Sequence, residues 1–386
     1  MASQVTIDPG IEITNKNYEL YLNDLKSLLT PPDFVYVENG IKNGWITVPV
    51  VKKRKYPQPK FWQEATVKYN NASACRVGPT NELIGWTAGC PFPDPKTGAE
   101  LAWNFRRRNQ ATDQASFFSD FLLFDKSGRK TGKVERSFKW HLYDRWYMGR
   151  RFVPPMPEEP GNNGLVWMKE SIIITEPYDI KGFAMIRICY DPIDKPDEVY
   201  SYVPAIRRLR RLTGSDVTDP VLGSDAAYDD FEVMRQKIDS KMSFKILDVR
   251  DFLVPVHYTE KPPKLFVKGN CFQVEWEIRP LWVLQININN PDYLYKKRII
   301  YIEKEHKTGD VYAGECFDLQ GRLWKSCNFV SQAKDPDYFE GNSWYGCVYN
   351  DYLSDHSTLM DMYPVFADPK STAKAFTIKY LLQEAK

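Results

Sequence analysis

The segment Val199 to Leu212 carries the densest group of side chains that could bind anions. Its sequence, VYSYVPAIRRLRRL, places four arginines within five residues, namely Arg207, Arg208, Arg210 and Arg211. Guanidinium groups pair with carboxylates, with phosphates and with acyl head groups. A strand through this segment has two arginines on each face, and Pro204 favours an edge strand or a bulge. The alternative is a charged face that contacts only water.

Three acidic residues follow the arginines, in the sequence GSDAAYDDF that begins at Gly223. Asp225, Asp229 and Asp230 are close enough in the chain to form one acidic loop, which could latch over the arginine segment through ion pairs. The alternative is that Ser224 or Asp225 caps a short helical turn, and a cap is compatible with a latch. These arginines and aspartates are therefore the candidate ligand-binding or lid-binding residues.

A second basic run, Arg106-Arg107-Arg108, stands beside Trp103 and Phe105. It could contact phosphates or anionic lipid, because a cluster of guanidinium groups creates a positive local field. The residue types favour the alternative, a basic patch on the protein surface.

Motifs for catalysis, metal binding and nucleotide binding are missing from the sequence. The four histidines have no HExxH spacing, and the seven cysteines have no CxxC pair. There is no GxSxG elbow and no P-loop. A catalytic carboxylate pair cannot be selected by sequence among 50 acidic residues. We therefore predict no metal, no cofactor and no catalytic residues, as in a protein that is not an enzyme.

Composition indicates a globular protein. Of the 386 residues, 43% are hydrophobic and 26% are charged, and 52 basic side chains nearly balance 50 acidic ones. A dedicated nucleic-acid binder needs a marked positive excess, so nucleic acid is excluded as a partner. No apolar run is long enough to cross a bilayer as a helix.

Aromatic residues make up 14% of the chain, an excess that suits a protein lining a cavity for extended apolar or sugar ligands. Packing in the core is the alternative at each position. Nine aromatic residues are the cavity candidates: Trp140, Tyr143, Trp146, Tyr147, Trp167, Tyr200, Tyr202, Trp276 and Trp282.

The elements that position these residues are mainly strands. Apolar spacing predicts a helix over Asn15 to Leu29, ended by Pro31 and Pro32, and a short helix over Phe61 to Tyr69. Runs of β-branched and aromatic residues predict strands over Ala115 to Phe124, Lys133 to Tyr147, Leu165 to Thr175, Phe183 to Tyr190, Glu198 to Leu212, Phe244 to Val256, Phe272 to Asn287, Arg298 to Glu305, Val311 to Phe317 and Arg322 to Phe329. Parallel strands need long crossovers, so the short polar turns between these strands predict an antiparallel sheet. Curling into a barrel or half-barrel around a few helices covers one face of such a sheet.

Three ordered passages resemble one family of proteins. They are Ala88 to Pro93 with Gly98 to Asn104, Tyr202 to Leu212 with Gly223 to Asp225, and Val274 to Val283 with Lys297 to Ile302 and Asp318 to Lys325. Together they are similar to the large, functionally uncharacterised branch of outer-membrane lipoprotein-sorting-like proteins, the relatives of LolA and LolB.

The resemblance implies a mainly β fold with a few helices, in which an incomplete antiparallel barrel wraps around a hydrophobic cavity under a helical lid. It implies a periplasmic location in a Gram-negative cell, with a signal peptide removed. The smaller relatives carry lipoprotein acyl chains, and genes of this branch often accompany inner-membrane exporters of the resistance-nodulation-division (RND) type. The expected partners are hydrophobic cargo, an RND-type transporter and outer-membrane components. We expect one large domain over residues 1–386, with a helical arm over 1–60 and the curled sheet over 61–386.

A carrier or chaperone for lipid, acyl chains or other hydrophobic cargo is the leading hypothesis. Burying a twelve-carbon chain releases on the order of 10 kcal/mol before costs, which requires an apolar interior but no catalytic group. Two alternatives remain open. An envelope enzyme acting on a lipid or glycan would need two carboxylates about 5–9.5 Å apart in an aromatic cleft. An adaptor subunit that binds no ligand would have a filled interior and an exposed apolar patch.

Overall fold

The structure is a computed structural model that describes residues 7–54, 59–69, 75–108, 112–212, 218–256, 266–335 and 339–384. None of the helices in these ranges has the length and the apolar composition needed to span a membrane. The described ranges contain six α-helices: α1 (Tyr18–Leu28), α2 (Pro31–Lys42), α3 (Lys60–Tyr69), α4 (Gly98–Arg106), α5 (Lys126–Thr131) and α6 (Ile378–Glu384).

Strands dominate the rest of the described chain. Six short strands form three small pairs: β1 (Glu12–Ile13) with β2 (Val48–Pro49), β3 (Arg76–Val77) with β4 (Leu83–Ile84), and β12 (Phe266–Lys268) with β13 (Cys271–Phe272). Thirteen strands form one large sheet: β5 (Gln114–Phe124), β6 (Arg136–Trp146), β7 (Val166–Glu176), β8 (Ala184–Tyr190), β9 (Glu198–Val203), β10 (Arg208–Leu212), β11 (Met242–Val256), β14 (Glu275–Ile288), β15 (Lys297–Glu303), β16 (Val311–Phe317), β17 (Leu323–Asp335), β18 (Phe339–Asp351) and β19 (His356–Phe366).

The large sheet consists of two antiparallel meanders joined where β19 pairs with β5, and it is not closed into a barrel. From its β10 edge the pairing runs through β9, β8, β7, β6 and β5 to β19, and then through β18, β17, β16, β15 and β14 to β11. The end strand β11 also meets β17 at a single parallel pair, Val256 opposite Ser331. The predicted fold class, mainly β with a large antiparallel sheet, is therefore confirmed.

The first predicted helix ends before Pro31 as expected, because α1 stops at Leu28. Pro31 also begins a second helix that was not predicted, α2, where its fixed φ angle and missing N–H suit the first helical position. The Thr30 side chain caps α2 by accepting a hydrogen bond from the Asp33 N–H at 3.2 Å.

The predicted single strand over Glu198 to Leu212 is a hairpin. After β9 the chain makes a 3₁₀ turn over Pro204–Ile206, and Arg207 adopts a left-handed φ of 50°. β10 then pairs back on β9 with Arg208 opposite Val203. Pro204 thus marks a reversal of the chain at the sheet edge, rather than a bulge within one long strand.

One face of the large sheet, here called the inner face, packs against α4 and against residues 224–238. Alternation along the strands puts every second side chain on this face, and the apolar ones form one core. Its members include Phe121 of β5, Phe138 and Trp140 of β6, Ile172 and Ile174 of β7, Leu284 and Ile286 of β14, Ile300 and Ile302 of β15, Phe329 of β17, Tyr349 of β18, and Met360 and Met362 of β19.

The opposite, outer face is covered by the two ends of the described chain. The N-terminal arm (residues 7–50) packs against Leu253, Val330 and Val348, with the Tyr36 ring 6.1 Å from the Trp276 ring. Near the C-terminus, Phe376 packs with Tyr143, and Leu381 of α6 packs with Ile186. Much of both faces of the sheet is therefore shielded from water, while β10 and residues 243–251 of β11 stay largely exposed.

Candidate functional site

Residues 224–238, here called the covering segment, lie along the inner face. Twelve of these fifteen residues are buried, although the only regular structure described in them is a 3₁₀ turn over Tyr228–Asp230. The Phe231 ring lies 5.4 Å from the Trp140 ring and 6.0 Å from the Tyr349 ring. Val233 and Met234 are also fully buried in the inner-face core. The apolar interior expected for a cargo is therefore occupied in this conformation by the chain itself.

Contacts of the covering segment show that the sheet curls around it. The Tyr228 hydroxyl donates to Glu170 of β7 at 2.7 Å, and Asp230 pairs with Arg298 of β15 at 3.0 Å. Six strands lie between β7 and β15, so a flat sheet would separate them by about 34 Å. Residues only two apart in the chain cannot reach across that distance. The sheet therefore bends, and the covering segment fills the bend.

The middle of the covering segment is anchored on β15 and the residues before it. The Arg298 guanidinium pairs with Asp230 and donates to the Val233 carbonyl at 2.8 Å. Tyr295 donates to Asp230 at 2.8 Å, and Tyr293 donates to the Asp229 carboxylate at 3.0 Å.

These side chains are almost completely buried. Burial raises the pKa of Asp229, although Arg187 and Arg298 act in the opposite direction. A buried carboxylate is costly unless it is paired, so this cluster holds the covering segment only while its partners remain in place.

A second anchor joins the covering segment to β7 and to the C-terminal end of α4. Arg235 forms ion pairs with Glu170 and with Glu232, the latter at 2.8 Å, and Glu232 also pairs with Arg108. Burial alone would raise the pKa of Glu232, but Arg108 and Arg235 lower it to about 2. Glu232 is therefore ionised at neutral pH and links helix, segment and strand.

A third anchor lies at the beginning of the covering segment. His356 of β19 contacts the Asp225 carboxylate through Nδ1 at 2.7 Å and the Glu135 carboxylate through Nε2 at 3.0 Å. Thr358 donates to the same Asp225 carboxylate at 2.6 Å. Hydrogen bonding to Asp225, opposed by partial burial, raises the pKa of His356 to about 9. His356 is therefore an imidazolium at neutral pH.

The acidic loop predicted from sequence thus becomes part of the covering segment, but its described partners differ from the predicted ones. Asp225, Asp229 and Asp230 are buried and contact His356, Tyr293 and Arg298. The arginines of the β9–β10 hairpin, Arg207, Arg208, Arg210 and Arg211, are exposed at the sheet edge, and Arg211 pairs with Glu198 at 3.2 Å. The expected latch between these two groups is therefore wrong, because the hairpin turns its arginines to solvent while the acids enter the core.

The nine aromatic cavity candidates are divided between different parts of the molecule. Trp140 packs in the inner-face core, and the half-buried Trp282 packs against it. Tyr143 and Tyr202 pack against C-terminal residues, and Trp276 packs under the N-terminal arm. The Trp146 and Trp167 rings are 6.4 Å apart, Tyr147 lies beneath Lys169, and Tyr200 donates to Glu198. Only Trp140 and Trp282 therefore belong to the inner-face core.

The basic run at the end of α4 is not the surface patch that the residue types favoured. Arg106, Arg107 and Arg108 are each at least 94% buried. Helix α4 begins with a capping box between Thr97 and Glu100, which fixes the face that it turns to the sheet. Because the start of α4 fixes the rotation of the helix, it also fixes the direction in which the arginines at the C-terminal end point.

Sequence reasoning missed several charged residues of the site that carried a readable signal. Glu170 has the same strand phase as Ile172 and Ile174, and Arg298 has the same phase as Ile300 and Ile302. A charge at a position whose neighbours two residues away are core residues must be buried and paired. This pattern can therefore identify the buried charged residues of the inner face from the sequence alone.

Other features of the site are small. A cleft of about 80 Å³ lies beside Trp282 and Leu101, and a cleft of about 10 Å³ lies beside Trp146 and Trp167. Within the described ranges, no three histidine, cysteine or acidic side chains are grouped so that they could hold a metal ion. The covering segment and its three anchors are therefore the candidate functional site.

Comparison with known sequences places these features in a family. A model of the family described as "Protein of unknown function (DUF1329)" matches residues 12–379. An uncharacterized protein of Pseudomonas aeruginosa, PA3922, is 22% identical over a 351-residue alignment that covers 87% of this chain and 72% of the relative.

Two solved structures resemble the fold. A structure described as a "putative outer membrane lipoprotein-sorting protein domain", from Vibrio parahaemolyticus, has a TM-score of 0.52 and 17% identity, covering 74% of this chain and 98% of that one. A DUF1329 family protein from Desulfovibrio piger has a TM-score of 0.53 and 14% identity, covering 74% and 97% respectively. The similarity extends over nearly the whole of both relatives and shows a shared fold.

Proposed function

This chain belongs to the DUF1329 family, and on that premise we propose that it is a periplasmic carrier of lipid or acyl-chain cargo whose covering segment occupies the cargo site when no cargo is bound. Cargo then enters as the covering segment leaves the inner face. The description of the Vibrio relative as a lipoprotein-sorting domain supports acylated cargo. An RND-type inner-membrane transporter and outer-membrane components are the proposed partners in delivery.

One observation carries this proposal: the covering segment fills an apolar face without belonging to the sheet. Apart from a bridge between Pro220 and Ala227, which lies at its own beginning, no described strand pairs with it. It is held by side-chain pairs and by hydrogen bonds between its backbone and side chains of the sheet, such as those of Arg298 and Thr358. Its departure would therefore leave the backbone hydrogen bonds of all thirteen strands intact, and the sheet would survive as the wall of the site.

The apolar part of the energetic exchange is close to balanced, before the cost of separating the buried ion pairs of the anchors is counted. The segment buries four large apolar side chains, each at 7% exposure or less. They are Phe231, Val233, Met234 and Ile238. Exposing them costs about 1.5–3 kcal/mol each, or about 6–12 kcal/mol together. A twelve-carbon chain recovers about 10 kcal/mol when it takes their place. Near balance is what a carrier needs, because cargo must be both loaded and released.

A disulfide that ties the covering segment to the sheet tests this proposal. A Cβ atom built on Gly314 of β16 lies 3.5 Å from the Val233 Cβ, within the range that disulfides span. We expect the variant Val233→Cys/Gly314→Cys to form this bond. Cys327 is replaced by alanine in the same protein, because its sulfur lies 3.4 Å from the built Cβ. Fluorescently labelled dodecanoic acid is the probe.

The carrier proposal requires that the oxidised variant bind the probe at least tenfold more weakly than the same protein after reduction. Each single-cysteine variant in the Cys327→Ala background serves as a control and should bind equally well with and without reductant. Equal binding by the oxidised and reduced forms would show that the inner face is not the cargo site. No binding by the wild type would instead favour the adaptor alternative.

A further inference from the structure

A small cleft beside the C-terminal end of α4 has an unusual lining. Its walls include Arg106, Arg107, Trp146, Trp167 and Arg151, and it reaches the half-buried side chains of Trp86 and Met148. The enclosed room is about 10 Å³, close to what one water molecule or one oxygen atom of a ligand requires. Gly149 helps to form the cleft, because a Cβ there would come within 2.4 Å of the Trp86 ring.

Three buried hydrogen-bond donors on the lining residues have no acceptor among the described residues. They are the Arg106 Nη1, the Arg107 Nε and the Trp146 Nε1. Leaving a buried donor unpaired is costly, and more so when the group is charged. These donors belong to three residues that line one cleft, which favours a ligand rich in acceptor atoms.

The charges around the cleft point to an anion rather than to a neutral acceptor. Arg107 pairs with Asp191, Arg108 with Glu232, and Arg151 with Asp113 at 3.4 Å. Arg106 forms no ion pair within the described ranges, and its guanidinium lies 4.1 Å from the centre of the Trp167 ring. Burial lowers the pKa of Arg106 to about 10, so the group remains charged at neutral pH. One buried positive charge therefore has no contacting counter-ion in the described part of the chain, although Asp197 and Glu232 act on it from a longer distance.

We propose that this cleft binds a single oxyanion group, a phosphate or a carboxylate, with one oxygen inside the cleft and the remainder in its mouth. Arg106 supplies the charge, and the Arg107 and Trp146 N–H groups supply the other hydrogen bonds. The oxyanion comes either from a free inorganic ion or from the head group of an acidic lipid. The cleft shares Arg108 with the second anchor of the covering segment, but the proposal does not depend on the carrier function.

Thermal unfolding of the full chain against inorganic phosphate tests the site, with ionic strength held constant. We expect about 10 mM phosphate to raise the unfolding midpoint of the wild type by about 2 °C or more. Arg106→Met should lose this rise. It should also fold at least as stably as the wild type without phosphate, because it removes an unpaired buried charge. Arg322→Met, which removes an exposed arginine, should keep the rise.

Trp146→Phe keeps an aromatic side chain but removes the indole N–H together with the fused five-membered ring, so it should weaken phosphate binding about tenfold. If Arg106→Met fails to fold, the Trp146→Phe variant tests the proposal in its place. A second arm compares dioctanoyl phosphatidic acid with dioctanoylglycerol. Stabilisation by the former alone, without an effect of inorganic phosphate, identifies a lipid head group as the source. No stabilisation by either oxyanion, or an undiminished effect in both cleft variants, would overturn the proposal and leave a cleft that holds only water.

Discussion

Charged side chains at inner-face strand positions hold the covering segment. Glu170 and Arg298 take positions that alternation would give to apolar residues, and both are buried. A buried ion pair contributes little net stability, but removing one partner leaves an uncompensated charge. These residues therefore specify where the segment docks more than they stabilise the fold.

The pair between Asp230 and Arg298 allows this to be measured. We predict that Asp230→Asn lowers the free energy of unfolding by about 3–5 kcal/mol, because Arg298 loses its carboxylate partner in the core. The double variant Asp230→Asn/Arg298→Met should lose less than the sum of the two single changes. Urea unfolding monitored by tryptophan fluorescence provides the values.

A surface pair supplies the control for that measurement. Lys139 and Glu176 are about half exposed and 3.0 Å apart, so Lys139→Met should change stability by less than about 1 kcal/mol. Additive losses in the Asp230 and Arg298 variants would mean that the two groups are not coupled.

The covering segment, as an element, depends on anchors at several strands rather than on its own backbone hydrogen bonds. Its described regular structure is one 3₁₀ turn, and its contacts reach β7, β15 and β19. An element held in this way has lower local stability than the strands around it. Weakening one anchor should therefore loosen the segment before the sheet unfolds.

The anchor at His356 makes this loosening depend on pH. The folded pKa of His356, about 9, lies above its usual value, so the stabilisation is complete below about pH 6.5 and is lost as the pH rises through 9. Because Glu135 is half exposed, we expect a contribution of about 1–2 kcal/mol. The wild type should therefore lose stability relative to His356→Gln between pH 7 and pH 10.

Urea midpoints of both proteins at the two pH values test this prediction. Comparison with His356→Gln cancels the titration of lysine, tyrosine and cysteine side chains, which the two proteins share. A parallel pH dependence in both proteins would assign the stability change to those other groups. Binding of labelled dodecanoic acid by the wild type should also increase over the same pH range.

In the whole molecule, the two faces of the large sheet have different roles. The N-terminal arm and the C-terminal residues cover the outer face, while α4 and the covering segment cover the inner face. Under the proposed function, only the inner cover is exchangeable. The outer cover then serves stability alone.

Two buried tryptophans test this division. Trp140 packs on the inner face and Trp276 on the outer face, at 3% and 0% exposure. We predict that Trp140→Leu and Trp276→Leu both destabilise the protein by about 2–4 kcal/mol. Only Trp140→Leu should change the affinity for labelled dodecanoic acid, measured by fluorescence titration at a temperature where both variants are folded. An equal change in both would show that affinity follows stability rather than position.

Most strand positions before Phe329 and their antiparallel pairing could be predicted from sequence, because they depend on alternation and on turn lengths within a few residues, whereas β18 and β19 were missed. The predicted strand Val311 to Phe317 has the same bounds as β16. The hairpin after β9 was missed because its turn contains Pro204 and a left-handed Arg207, instead of the glycine or asparagine that usually marks such a turn.

What sequence alone determined about this protein is therefore its class and the places of most of its strands, but not β18 and β19, which join the two halves of the sheet. Tertiary structure decided which face each aromatic residue occupies, which charges meet, and that residues 224–238 fill the bend of the sheet. Partners such as Glu170 and Arg235, or Asp225 and His356, are 65 and 131 residues apart in the chain. Local patterns do not encode such pairs, because each is formed only when the curled sheet brings distant strands around one segment.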